Sequence, residues 1–262
     1  MDVNVNVNGS GRLDGRVAIV TGAGQGVGEG IARKLAAEGA SVVIAARRAA
    51  TGEPVAASIR EAGGDAVCVV TDVTERGPVE ACVAETVERF GRLDVMVHNA
   101  FAGGTASRLE DTPPEVWFQM SRTSAWASFW CAQAAYPHLR ASDQGRLVLV
   151  TSPSGVEGSA NIPLYSPAKA AQRALAKSLA REWGPDGITC NCIAPVAETP
   201  ALAGAFSQVP TLRGAIEART PLGRIGDPVA DIGGVVAFLA GPDAGYVSGQ
   251  TIVCDGGSFL GL

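Results

Sequence analysis

Histidine is scarce in this chain, which limits its metal chemistry: the 262 residues include only His98 and His138. Six cysteines are present, but none belongs to a C-x2-C pair, and the nearest two, Cys190 and Cys192, have one residue between them. A zinc site would require paired ligands at such spacing, with histidines nearby. The sequence therefore predicts no metal site. We interpret the cysteines as buried free thiols of a reducing, cytoplasmic protein.

Long apolar and basic runs are also missing. The chain has no stretch of about 18 apolar residues, which predicts no membrane span. Lys and Arg form no extended run and the formal net charge is −5, so no nucleic-acid partner is expected. No basic segment followed by an apolar one begins the chain, which predicts no secretory signal. We expect residues 1–13, with their Val–Asn alternation, to form a loose tail.

Hydrophobic residues make up 47% of the chain, enough for a large core. Seven short apolar segments alternate with longer stretches of helical periodicity, without a linker or a repeat. Strands that are apolar throughout are typical of a parallel sheet covered by helices on both faces. The pattern predicts one α/β domain over 14–262, with a doubly wound, seven-stranded parallel sheet. The predicted strands are 17–21, 41–46, 66–70, 93–98, 146–151, 188–193 and 251–254, and the predicted helices are 28–38, 53–62, 75–89, 115–140, 163–183 and 228–240.

The first predicted strand leads into a glycine-rich turn, TGAGQGVGEG at 21–30. Such a turn between a strand and a helix is typical of dinucleotide-binding folds. Gly22, Gly26 and Gly28 would allow a tight turn, a close backbone approach and tight helix packing, while the helix N-terminus faces a pyrophosphate. We expect Gln25 and Val27, between these glycines, to contact the cofactor as well. The alternative is a turn without a ligand.

The end of the second predicted strand bears on the choice of cofactor. An acidic residue there would favour NAD by binding the ribose 2′-hydroxyl, but this strand is followed by Arg47 and Arg48. Two guanidinium groups can bind a 2′-phosphate, so we favour NADP(H) over NAD(H). The alternative is a solvated basic turn. We interpret Asp72, with Val73, as a contact to the adenine end or as the N-cap of the next helix.

Taken together, the motifs resemble those of the short-chain dehydrogenase/reductase family in its single-domain form. The family pattern T-G-x-x-x-G-x-G matches from Thr21, and Y-x-x-x-K matches at Tyr165 and Lys169. Ser152 stands at the end of the predicted fifth strand, where the family has its catalytic serine. The resemblance extends over nearly the whole chain and implies a Rossmann fold.

The resemblance implies an oxidoreductase that interconverts a ketone, or a 3-oxoacyl-type carbonyl, and a secondary alcohol. Ser152 would polarise the carbonyl group, and Tyr165 would exchange the proton as general acid or base. A free tyrosine has a pKa near about 10. Lys169 follows one helical turn later on the same face, so its charge would lower that pKa. The family's lysine also holds the nicotinamide ribose.

Three departures from the family pattern affect the expected site, and the first follows the fourth strand. The family usually carries Asn-Asn-Ala-Gly there, whereas this chain has His98, Asn99, Ala100 and Phe101. We expect Asn99 and Ala100 to keep their contacts with the cofactor. Phe101 replaces a glycine that lets backbone approach the cofactor. Its ring would either line the substrate pocket or pack beneath the loop.

The other two departures concern a catalytic asparagine and the loop after the sixth strand. Alignment places Ser124 where the family has an asparagine thought to anchor a proton-relaying water. Serine keeps a donor and an acceptor, and an ordered water could make up for its shorter reach, so we assign Ser124 as the relay residue. The sixth strand is followed by Pro195 and Val196 instead of Pro-Gly. We expect Pro195, Val196 and Thr199 to contact the nicotinamide.

The longest stretch without a clear pattern, 194–226, is rich in Ala, Pro and Gly. We expect a substrate lid at about 197–222, and its apolar residues favour a moderately apolar ketone, β-ketoacyl thioester or secondary alcohol. Trp126 and Trp130 share a helix face, which is typical of a helix–helix contact. The resemblance implies a homotetramer, with a dimer as the alternative. Two other functions stay open: a cofactor-binding regulator without turnover, and a non-redox reaction such as epimerisation or dehydration.

Overall fold

A seven-stranded, all-parallel sheet forms the centre of the fold in the computed structural model, which describes residues 11–103, 107–160 and 162–259. The strand order is β3-β2-β1-β4-β5-β6-β7. The predicted doubly wound, single-domain α/β architecture is confirmed. The strands are β1 (Val17–Thr21), β2 (Ser41–Ala46), β3 (Asp65–Val70), β4 (Val95–His98), β5 (Arg146–Val150), β6 (Thr189–Pro195) and β7 (Thr251–Cys254).

Helices cover both faces of the sheet. Every residue of β1, β4 and β5 is buried, because each strand has one face against each layer of helices. Two apolar clusters, one on each side of the sheet, form the core. The helices are α1 (Gly26–Ala37), α2 (Ala49–Glu61), α3 (Arg76–Phe90), α4 (Pro114–Ser121), α5 (Ala127–Ala141), α6 (Ser154–Glu157), α7 (Tyr165–Glu182), α8 (Pro200–Gln208), α9 (Leu212–Arg219) and α10 (Gly234–Ala240).

The topology determines where a ligand can bind. The chain runs from β1 outward through β2 and β3, then returns to place β4 on the other side of β1. The connections after β1 and β4 therefore diverge and leave a crevice at the carboxyl edge of these strands. No helix among the described residues has the length and apolar character needed to cross a membrane.

The long predicted helix at 115–140 is interrupted. A π-helical turn, Arg122–Trp126, separates α4 from α5, and a second one, Pro228–Gly233, precedes α10. Periodicity alone did not reveal either turn.

The predicted lid region contains two short helices, α8 and α9, neither of which has a buried residue. The sequence suggested a loop because Pro and Gly are frequent there. Its apolar residues are nevertheless spaced as helical pairs, Leu202 with Phe206 and Leu212 with Ile216.

The predicted N-terminal tail differs from the structure at its inner end. Residues 1–10 lie outside the described residues. Leu13 is 1% exposed in the core, and its amide donates to the Glu38 carbonyl oxygen. Arg12 forms an ion pair with the Glu38 side chain. Residues 11–13 therefore belong to the folded domain, since burying Leu13 outweighs the disorder that the polar composition suggests.

Candidate active site

The glycine-rich turn after β1 is held against the loop that follows β4. The Asn99 side-chain amide donates hydrogen bonds to the carbonyl oxygens of Thr21 (3.0 Å) and Gly22 (3.2 Å). Gly22 has a φ of +66°, and a Cβ atom there would lie 2.7 Å from the Cα of Ala100. A Cβ atom at Gly28 would lie 2.4 Å from the Asn99 amide nitrogen. Only glycine permits this close approach at both positions.

A groove of about 320 Å³ lies beside this turn, at the crevice between the loops after β1 and β4. Helix α1 begins in its wall at Gly26, so the N-terminal amides and the positive end of the helix dipole adjoin the groove. These features fit the pyrophosphate of a dinucleotide. The predicted cofactor-binding residues that line the groove are Gly22, Gln25, Gly26, Val27, Arg47, Arg48, Asp72, Val73, Asn99, Ala100 and Thr199.

Three of the five other predicted contacts lie in or beside the sheet and do not line the groove. Gly28 is buried where α1 packs against the Asn99 side chain. Pro195 ends β6, and the next residue, Val196, pairs through its backbone with Cys254. Gly28, Pro195 and Val196 thus have packing or sheet positions, and their contacts with the cofactor stay predictions.

Arg47 and Arg48 are exposed at one end of the groove. Within the described parts of the chain, neither guanidinium group forms an ion pair. Helix α2 begins directly after Arg48, so the positive end of its dipole is at the same place. This end of the groove is therefore suited to an anion.

Asp72 faces the same groove and closes a turn. Its carboxylate accepts hydrogen bonds from the Thr74 amide (2.9 Å) and hydroxyl (2.7 Å). The pKa of Asp72 is lowered: these two bonds and the nearby Arg47 charge outweigh the opposing effect of burial. The alternative that Asp72 is the N-cap of the next helix is wrong, because that position belongs to Glu75.

Ser152, Tyr165 and Lys169 meet beyond the end of β5. Ser152 is 8% exposed, and its hydroxyl accepts a bond from the Ser154 amide (3.2 Å). Tyr165 is the first residue of α7, so Lys169 lies one turn further along the same helix. Burial raises the pKa of Tyr165 above its usual value, and the facing Ser152 hydroxyl offsets part of that rise.

Lys169 is directed differently from the sequence-based expectation. Its ammonium group donates to the Val150 carbonyl oxygen at 2.8 Å, and the residue is 3% exposed. Burial lowers the pKa of Lys169 to about 7. The nitrogen lies 5.9 Å from the centre of the Tyr165 ring, and the Tyr165 pKa is raised, not lowered. Activation of the tyrosine by the charge of Lys169 therefore stays a prediction.

Phe101 stands between these residues and the groove. Its ring centre lies 4.7 Å from the Lys169 nitrogen and 5.1 Å from the Tyr165 ring centre, at an interplanar angle of 78°. The edge-to-face and cation–π geometries are both favourable. Phe101 itself lines the groove, whereas Ser152, Tyr165 and Lys169 are not among its described lining residues.

Ser124 lies in the π-helical turn and is completely buried. Its hydroxyl donates to the Met120 carbonyl oxygen in the preceding turn, at 2.5 Å. The hydroxyl proton is therefore used within its own helix, which leaves Ser124 able to accept but not to donate elsewhere. Its role as a relay residue stays a prediction.

His98 was not assigned a role from the sequence, yet it joins three parts of the site. The Thr21 hydroxyl accepts from the amides of Asn99 and Ala100, so its own proton goes to the Nδ1 atom of His98, at 2.9 Å. The Nε2–H group then donates to the carbonyl oxygen of Thr123, in the π-helical turn (3.2 Å). Burial lowers the pKa of His98 to about 3, so the ring is neutral. The sequence signal that could have identified His98 is its position at the end of an otherwise apolar strand, because a buried polar group requires hydrogen-bond partners.

A metal site is not formed by the described residues: no group of three or more His, Cys, Asp or Glu side chains lies close enough together to hold an ion. All six cysteines are free thiols.

A dinucleotide groove with a serine, a tyrosine and a lysine beyond its end is the arrangement of a nicotinamide-dependent oxidoreductase. A family model described as enoyl-(acyl carrier protein) reductase matches residues 22–258. The chain belongs to the short-chain dehydrogenase/reductase family and is an oxidoreductase acting on CH–OH or C=O groups.

Relatives of known activity and solved structures agree with this assignment. The chain is 37% identical to a cis-4-hydroxycyclohexanecarboxylate dehydrogenase from Sinomonas cyclohexanicum, over 92% of this chain and 96% of that protein. It is 34% identical to a meso-2,3-butanediol dehydrogenase from Serratia marcescens, over 94% and 96%. A crystal structure of a dehydrogenase/reductase from Sinorhizobium meliloti 1021 superposes with a TM-score of 0.84 at 34% identity, covering 95% and 96% of the two chains.

Proposed function

We propose that this protein interconverts a ketone and a secondary alcohol with NADP(H), using Tyr165 as general acid or base. The observation that carries the proposal is the placement of Tyr165 at the start of α7, facing the Ser152 hydroxyl beside a dinucleotide groove. Family membership implies NAD(P) binding, and the residues that line the groove are suited to it.

The proposed roles follow from the protons and hydrogen bonds that each side chain can donate or accept. The bound nicotinamide supplies or accepts the hydride. Reduction also requires a proton at the substrate oxygen, and a tyrosine with a raised pKa is protonated and able to donate it. The Ser152 hydroxyl would donate a hydrogen bond to the same oxygen and stabilise its developing negative charge. In the oxidation direction, Tyr165 would take the proton, which becomes easier once Lys169 carries its charge nearby.

The preference for NADP(H) rests on Arg47 and Arg48. Both are exposed on the groove, both lack an ion-pair partner within the described chain, and the positive end of α2 adjoins them. A 2′-phosphate would complete charge-assisted hydrogen bonds there. No carboxylate follows β2 to repel it.

The substrate we propose is moderately apolar and carries a secondary alcohol or ketone. The relatives named above act on a hydroxycyclohexane carboxylate and on butanediol, both of which are small secondary alcohols. Helix α8 brings mainly apolar side chains to the lid region, including Leu202 and Phe206.

A panel of cyclic and linear ketones and secondary alcohols, assayed with NADPH or NADP+ at the nicotinamide absorbance, tests the proposal. We expect turnover of at least one small cyclic or vicinal substrate, with NADP(H) preferred. Tyr165→Phe should bind cofactor as the wild type does and lose nearly all turnover. Tight cofactor binding without any change in nicotinamide absorbance would instead support the non-redox alternative.

A further inference from the structure

The Phe101 side chain lines the cofactor groove and also packs against two of the catalytic residues. The groove is lined by residues on either side of Phe101 in the loop after β4, namely Asn99, Ala100 and Ala102. Lys169 is 3% exposed and lies directly beneath the Phe101 ring. Tyr165 meets the same ring by its edge.

We propose that Phe101 is a gating residue: in the free protein its ring covers the Lys169 ammonium group, and it turns aside when the cofactor enters. The inference rests on the proposed function, since it concerns access between the cofactor groove and the residues assigned to catalysis. Phe101 thus acts through Lys169 and Tyr165 as a positioning residue.

The backbone around Phe101 restricts how such a gate can open. The Ala100 amide donates to the Thr21 hydroxyl at 3.1 Å. The Ala102 amide donates to the Thr123 hydroxyl, which in turn donates to the Ala102 carbonyl oxygen at 2.9 Å. Because the residues on both sides are held, opening requires rotation of the Phe101 side chain between rotamers, without a shift of the loop.

The closed position packs the face of the Phe101 ring against the Lys169 nitrogen, which is shielded from water. The fraction of Lys169 that carries its charge adds a cation–π attraction to this contact. The closed rotamer therefore competes with cofactor, and the apparent affinity falls by the fraction of molecules that are open. Removing the ring should strengthen cofactor binding, although it removes a side chain from the wall of the groove.

Two measurements on the full chain test the gate. The first is the dissociation constant of NADPH, from quenching of tryptophan fluorescence, for wild type, Phe101→Ala and Phe101→Leu. We expect Phe101→Ala to bind roughly threefold to tenfold more tightly, with Phe101→Leu in between because it keeps bulk but not the π face. The second is reductive methylation of Lys169 in the cofactor-free protein, followed by peptide mass spectrometry. Labelling should be several-fold faster in Phe101→Ala than in the wild type.

Phe90→Ala is the matched control. Phe90 is also half-buried and also lies under a cation, with the Arg89 guanidinium 5.7 Å from its ring centre. It ends α3, at the opposite edge of the sheet from the groove. This variant should keep wild-type NADPH affinity and wild-type Lys169 labelling. Thermal melting establishes that each variant is folded. If Phe101→Ala does not fold, the binding and labelling measurements are made on Phe101→Leu alone.

Unchanged or weaker NADPH binding in both Phe101 variants, together with unchanged Lys169 labelling, would overturn the gate. A wild-type protein that binds no nicotinamide cofactor would overturn the proposed function instead. In that case the labelling measurement still decides whether Phe101 covers Lys169.

Discussion

At the scale of single residues, Lys169 is the most unusual group in the protein. A lysine is rarely buried to this extent without a carboxylate partner. Here the Lys169 nitrogen donates to the Val150 carbonyl oxygen and lies against the face of the Phe101 ring. Burial without a counter-ion favours the neutral amine, which is why the pKa of Lys169 falls to about 7.

The Lys169 pKa leads to a pH dependence of stability. The unfolded chain holds this proton up to about pH 10.5, whereas the folded chain releases it near pH 7. Between these values the unfolded state binds more protons, so the free energy of unfolding rises with pH, by up to about 1.4 kcal/mol per unit. Urea unfolding from pH 7 to about 9.5 should show this rise in the wild type relative to Lys169→Met. Lys177→Met, an exposed position on the same helix, should retain the rise.

The second prediction for a single residue concerns Arg47 and the choice of cofactor. Arg47→Asp places a carboxylate where a 2′-phosphate is proposed to bind, and this repels the phosphate while offering an acceptor to a ribose hydroxyl. We expect the ratio of kcat/KM for NADPH over NADH to fall by at least tenfold, which corresponds to about 1.4 kcal/mol. Arg33→Asp, on α1 where the guanidinium group bonds to Glu29 and Ser58, should leave the ratio unchanged. An unaltered ratio in Arg47→Asp would show that this guanidinium does not meet the 2′-phosphate.

At the scale of elements, the π-helical turn Arg122–Trp126 links the helices to the loop after β4. The turn leaves the Thr123 carbonyl oxygen available to His98, and the Thr123 hydroxyl bonds to the backbone of Ala102. π-helical turns are frequent at functional sites, and this one fixes the loop that carries Phe101.

Thr123→Val tests that connection, since it removes the hydroxyl but keeps the shape of the side chain. We expect a loss of about 1–3 kcal/mol in the free energy of unfolding, because the Ala102 amide loses its partner. Hydrogen exchange of the Ala102 amide should quicken. Thr86→Val is the control: Thr86 is also buried, but its hydroxyl bonds to Cys82 of its own helix. Equal losses in the two variants, with unchanged exchange at Ala102, would show that the loop is held by other contacts.

At the scale of the whole molecule, α5 and the turn before it present an exposed aromatic surface. Trp126 is 53% exposed and Phe129 is 42% exposed, and their ring centres lie 6.3 Å apart. Trp130 stacks beside Trp126 at 5.9 Å, so the predicted W-x3-W face exists. Large exposed aromatic patches are typical of protein–protein interfaces, as the homotetramer implied by the family resemblance would require.

Light scattering coupled to size exclusion measures this assembly. We expect a tetramer for the wild type and smaller species for the double variant Trp126→Glu, Phe129→Glu, because buried charges would oppose association. Val70→Glu, at an exposed apolar position on the edge strand β3, should leave the mass unchanged. A monomeric wild type would rule out the tetramer, and a dimer would select the alternative.

Local patterns in the sequence account for much of the architecture and the identity of the site residues. The apolar runs predicted β1, β2 and β7 with the bounds that the structure has. In β1 and β2 the reason is burial on both faces of the sheet, which favours apolar residues. The four-residue spacing of Tyr165 and Lys169 placed them one turn apart for the same local reason.

Only the tertiary structure decided where those side chains point. Lys169 turns to Val150, Phe101 covers it, Ser124 bonds within its own helix, and Leu13 joins the core. Each of these outcomes depends on a contact with a distant part of the chain, or on a choice between hydrogen-bond partners that the spacing of residues in the sequence does not determine. The sequence by itself thus determined the fold and the family. Packing between distant segments determined that Lys169 is buried, with its nitrogen bonded to the Val150 carbonyl oxygen and covered by the Phe101 ring, because neither contact is encoded in local spacing.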